Sequence, residues 1–88
     1  MPRHDMHQGS LRHRLVELLC YSDAPITAAM AAGTLKADLR AVYYAVAHMR
    51  EAGFIEPRAR GGGNVLVITD SGRRAIVRIE NQAVGGAR

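Results

Sequence analysis

Five side chains carry donor atoms that suit a metal ion: His4, His7, His13, Cys20 and His48. His4 and His7 stand in a polar N-terminal stretch and read as solvated. Cys20 falls inside an apolar helical pattern, where a lone thiol behaves as a small hydrophobe. No metal site is therefore expected. Covalent chemistry is no better supplied. There is no nucleophile motif and no close carboxylate pair. Gly61 to Asn64 lacks the Lys-Ser/Thr pair and the strand-to-helix setting of a phosphate loop. Neither an enzyme nor a cofactor is expected.

Arginine remains. Twelve Lys+Arg face eight Asp+Glu, a formal charge of +4, and Lys36 alone of the twelve is not arginine. Guanidinium groups fork onto phosphates and onto the guanine edge, so this excess favours a nucleic-acid partner. GC-rich coding would also raise Arg over Lys. Two of the arginines, Arg58 and Arg60, precede three consecutive glycines in "RARGGGNVLVIT". Glycine adopts positive φ cheaply but loses more backbone entropy than any other residue, so such a run is a hairpin tip or a linker. Alternating and β-branched segments on both sides, "FIEPRAR" and "NVLVITD", select the hairpin.

Helices must carry the rest. Leu11, Leu15, Leu18 and Leu19 fall on one face of a helix that Ser10 caps and "SDAP" ends. Thr27 caps a second helix of two turns or fewer, ended at Gly33 or just beyond. Asp38 caps a longer one, stopped by Gly53. Its inner side holds Val42, Ala45, Val46 and Met49. Its outer side holds Arg40, Tyr44, Ala47 and Glu51, with Tyr43 on the flank. In the hairpin Leu66 and Ile68 face the core, Val65 and Val67 face out, and Pro57 marks an edge strand. Thr69 caps a last helix with Ala75, Ile76 and Ile79 inward. Residues 1–9 read as a flexible arm, 10–82 as one domain and 83–88 as a flexible tail. The expected class is α+β: a three-helix core, a two-stranded hairpin and a closing helix.

Three stretches in this order, "PITAAMAA", "MREAGFIE" and "VITDSGRRAI", resemble the winged helix-turn-helix domain of bacterial transcription regulators, of which the multiple-antibiotic-resistance regulators are one branch. The likeness covers residues 10–80. Ala31 stands where that family carries Leu, and Gly33 falls inside its expected helix. The resemblance implies sequence-specific binding of double-stranded DNA by a small bacterial or phage regulator, with the helix from Asp38 in the major groove. Arg40 would then reach guanine, while Tyr44 and Ala47 share its outward face. Tyr43 suits packing as well as contact. Lys36 suits a phosphate. Arg58, Arg60 and Asn64 would meet phosphates or a narrow minor groove from the wing. Ser10 and Thr27 head helices whose free N–H groups suit phosphates. A protein-docking module with the same shape is the alternative.

A domain of this size buries about 60–65% of its unfolded surface and is marginal alone. A homodimer is expected, through apolar residues outside the main stripes: Val16, Cys20, Val77 and Val84. The single thiol, the polar start and the lack of any long apolar run lead to the expectation of a cytoplasmic protein away from membranes.

Overall fold

The computed structural model describes residues 6–61 and 63–86. The helix α1 (Leu11–Tyr21) starts at Ser10, whose hydroxyl accepts the His13 amide at 3.2 Å. The helix α2 (Ala28–Leu35) starts at Thr27, which accepts the Met30 amide at 3.1 Å. The helix α3 (Leu39–Glu51) starts at Asp38, whose carboxylate accepts the Arg40 and Ala41 amides at 3.1 and 3.4 Å. Each cap is the residue the sequence predicts, because each satisfies amides that the first turn leaves without intrahelical partners.

The ends are less regular. The helix α2 runs to Leu35, just beyond Gly33 as the sequence suggests. Lys36 ends it by taking a left-handed φ of 54°, with its amide on the Gly33 carbonyl at 3.3 Å. Arg14 of α1 donates to the Leu35 carbonyl at 2.8 Å. That places a cation at the negative end of the α2 dipole. At the end of α3, Gly53 has φ 83° and the Phe54 amide donates back to Met49 at 2.9 Å, the six-to-one bond of a glycine-terminated helix.

The strands β1 (Ile55–Arg60) and β2 (Gly63–Ile68) pair antiparallel, Ile55 opposite Ile68 and Arg60 opposite Gly63. Gly63 therefore belongs to β2 rather than to the tip. Gly61 has φ 55°, and Gly62 lies outside the described residues. The Leu66 amide also donates to the Ile26 carbonyl at 2.7 Å, so β2 is flanked on both sides. That leaves β1 on the edge, where Pro57 costs no ladder bond. Thr69 then locks the return. Its hydroxyl donates to the Gly53 carbonyl and accepts the Gly72 amide at 3.0 Å, opening α4 (Asp70–Gly86).

The core gathers Leu15, Val16, Leu19, Ala31, Leu35, Val42, Ala45, Met49, Ile55, Leu66, Ile68 and Ile76. Several inward residues differ from expectation. Val16 is fully buried, while Leu11 and Leu18 are half-buried. The cause is that α1 packs against α3 and also against α4, so its buried face is wider than a leucine stripe. His13 is buried as well, its Nδ1 accepting the Gly9 amide at 2.9 Å. Met6, in the segment read as an arm, is half-buried and packs on the core. His4 lies outside the described residues. Val65 and Val67 are half-buried rather than turned to solvent, because their face lines a groove with Leu19, Pro25 and Arg73. Ile79 is half-buried. By that point α1 has ended at Tyr21, whose hydroxyl donates to Glu80. The helix α4 continues to Gly86, past the expected end at Gln82.

Candidate nucleic-acid interface

The site is built on α3. Val42, Ala45 and Met49 fix one side of this helix in the core, so its other side must face solvent. Arg40, Tyr43, Tyr44 and Ala47 are all exposed there. Lys36 is exposed in the turn that leads into it. The left-handed Lys36 backbone turns the chain out of α2, so one residue both shapes the turn and carries its positive charge.

The two tyrosines diverge. Tyr43 lies in a groove with Thr27 and Ala29 at the start of α2 and with Pro57 and Asn64 of the hairpin. Tyr44 lies in a second groove with Ser10, Arg12, Ala41 and His48, between the start of α1 and α3. The flank position of Tyr43 therefore places it beside the hairpin, 56% exposed, with the rest of its surface against that groove. Each groove joins one outward tyrosine to one helix N-terminus. The N-cap hydroxyls accept N3 amides, which leaves the first amides of α1 and α2 without intrahelical acceptors.

The pleat divides the hairpin residues between two faces. Asn64 stands opposite Ala59, on the same face as Pro57 and Leu66, toward α3. Arg58 and Arg60 stand on the other face with Glu56, Val65 and Val67. Arg58 bonds Glu56 at 3.2 and 3.4 Å. Both partners are more than half exposed, so the pair is worth at most about 1 kcal/mol. Arg60 lines a groove with Asp23 and Arg73. The structure thus brings Thr27, Tyr43 and Asn64 together, and separates Asn64 from the two arginines beside it in sequence.

Sequence reasoning missed three features. Glu56 counters Arg58, and strand alternation in "EPRAR" already puts them on one face. Leu39 and Met30 are exposed apolar residues on α3 and α2, outside the inward stripes. Gly72 is buried against the Phe54 carbonyl, a contact between chain segments 18 residues apart that no local pattern reveals. Among the described residues no three His, Cys, Asp or Glu side chains form a metal-binding group.

No protein-family model matches the chain, and no curated protein matches it. Solved structures do resemble it. A transcriptional regulator of the MarR family from Rhodococcus sp. RHA1 superposes with a TM-score of 0.75 at 16% identity, over 84% of this chain and 54% of that one. AF1382 from Archaeoglobus fulgidus gives 0.74 at 14% identity, over 94% of this chain and 93% of that one. SSV1 F-93 gives 0.62 at 14% identity, over 94% and 97%. The chain spans about half the length of the Rhodococcus regulator and most of the other two. At such identities the likeness is one of fold, and with three helices, a two-stranded hairpin and a closing helix in this order, the chain has the winged helix-turn-helix fold of those structures.

Proposed function

We propose that this chain is a transcription regulator that binds double-stranded DNA sequence-specifically as a homodimer in the cytoplasm, occluding a promoter or operator. The observation that carries the reading is the outward face of α3, where Arg40, Tyr43, Tyr44 and Ala47 stand exposed between two grooves that each end in a helix N-terminus. A helix presented this way enters the major groove, and the amides at the starts of α1 and α2 then meet phosphates on either side. Lys36, Arg58 and Arg60 add sequence-independent charge, and Asn64, Ser10 and Thr27 add polar contacts along the backbone. The likeness to a MarR-family regulator supports the reading at the level of the fold.

The test is a binding series on a selected duplex and a scrambled one. Arg40→Ala is expected to cost about 1–3 kcal/mol on the selected duplex and to relax base choice at one position. Equal binding of wild type and variant to both duplexes would show that α3 does not read bases.

A second reading, docking to a protein through the same face, is favoured by one observation. Met30, Leu39, Tyr43 and Tyr44 are all exposed on α2 and α3. Salt separates the two. DNA affinity falls linearly on a log–log salt plot as counterions are released, while an apolar protein contact holds or strengthens.

A further inference from the structure

The composition of the α3 face restricts what it can read. Neither α2 nor α3 contains Asn or Gln, the side chains that match the adenine edge with a donor and an acceptor together. The Asp38 carboxylate is occupied by the Arg40 and Ala41 amides. Glu51 and Arg50 lie in the last turn, about 16 Å along the helix from Leu39. Over the first two turns, Arg40 and two phenols are the only outward hydrogen-bonding side chains.

The same face, tyrosine rings included, is also rich in apolar surface. Six large apolar side chains are exposed among the described residues, and four of them belong to α2 and α3, from 39% at Leu39 to 63% at Tyr44. Leu39 and Tyr43 stand four residues apart, so they form one stripe beside Arg40. Exposed Ala29 and Ala47 add little height around it. On an A·T pair in the major groove, the group such a stripe can recognise is the thymine 5-methyl.

Resting on the DNA-binding reading above, we infer that Leu39 and Tyr43 are specificity-determining residues that read thymine 5-methyl groups, next to a guanine read by Arg40. The charge around the stripe matches this occupant. Lys36 precedes it, and the chain carries a net +4, which suits a polyanion. Sequence selection by this face is therefore carried by methyl groups and one guanine contact.

The experiment starts from the duplex that the full chain enriches from a random pool. Each thymine is then replaced by deoxyuridine, which removes the methyl and leaves the pairing intact. Wild type should lose about fourfold in affinity for each methyl contacted. 5-Bromodeoxyuridine, with a bromine of methyl size, should restore it. Leu39→Ala, whose helix content is checked by circular dichroism, should bind the thymine and uracil duplexes equally at one of those positions. A wild type that enriches a sequence yet binds its uracil form equally would overturn the inference and leave the DNA reading standing. A chain that enriches no sequence would overturn both. If Leu39→Ala leaves DNA binding unchanged but abolishes self-association in sedimentation, the stripe belongs to a second copy and the inference fails.

Discussion

Gly72 and Gly33 are both helical glycines, and their surroundings give them opposite consequences. A Cβ at Gly72 would stand 2.5 Å from the Phe54 carbonyl oxygen and 2.8 Å from Ile68 Cγ1. The oxygen belongs to backbone that Thr69 also holds, through its amide on the same carbonyl at 3.0 Å, so it cannot retreat cheaply. Gly72→Ala should destabilise by about 1–3 kcal/mol through strain. Gly33 has nothing within 4 Å of its Cβ position and an ordinary helical backbone. Gly33→Ala should stabilise by about 0.5–1 kcal/mol, because alanine loses less entropy in a helix. Urea midpoints at unchanged slope check both, and equal shifts in the two variants would refute the packing account. Tyr21 supplies a pH marker. Its hydroxyl donates to the Glu80 carboxylate, and that bond first, then partial desolvation and the Glu80 charge, push the phenol up from 10.0 to about 12. A raised pKa favours the protonated form, so the stability it contributes is complete below about pH 10 and is lost as pH rises through 12. An absorbance titration of tyrosinate should find one phenol ionising late in wild type, and that lag should vanish in Glu80→Ala.

Among the elements, the hairpin is where charge placement has the clearest consequence. Arg58 and Glu56 sit on one face of β1 and neutralise each other in part. Glu56→Gln should therefore strengthen binding to all DNA alike and steepen the log–log salt slope by up to one, measured by anisotropy across a salt series. Arg58→Ala with Arg60→Ala should do the reverse, with little change in melting temperature because both side chains are exposed. A double variant that binds like wild type at every salt concentration would make the hairpin a solvated tip and leave DNA contact to α3. Most of these elements were legible from sequence, because caps, the Gly53 stop and β-branched alternation are local signals that tertiary packing did not override. The exceptions have a common cause. Val16 and Ile79 differ from expectation because burial on α1 and α4 depends on which helices lie alongside, and one periodic stripe cannot encode two neighbours. The same holds within the site. The outward face of α3 followed from the inward Val42 stripe, whereas the split of Asn64 from Arg58 and Arg60 required the strand register.

The whole molecule is a small body, 47 by 28 by 25 Å, with α4 as its long closing element. A homodimer is part of the proposed function, and the residues available for its contact differ from those suggested by the sequence. Val16 has no exposed surface, so it cannot contribute, and the Val84 side chain lies outside the described residues. Cys20 is half-buried. Val77 remains, 50% exposed on the outer face of α4 among Arg73, Arg74, Arg78, Asn81 and Gln82. A two-fold axis through Val77 with α4 helices antiparallel sets Arg73 and Arg74 of one protomer opposite Asn81 and Glu80 of the other, which avoids facing like charges. Such a pairing would relate two α3 helices by a two-fold axis, as a two-fold DNA site requires, and would supply affinity that one small module lacks. Val77→Asp tests it with little cost to the monomer, since an exposed helix position away from the core changes stability by about 0.5 kcal/mol or less. Sedimentation should give a dimer for wild type at micromolar concentration and a monomer for Val77→Asp, with equal melting of the two under monomeric conditions. On a two-fold duplex the variant should bind half-sites independently and lose cooperativity. If wild type is itself a monomer at high micromolar concentration, with and without DNA, the homodimer part of the proposal fails and α4 serves only to close the fold.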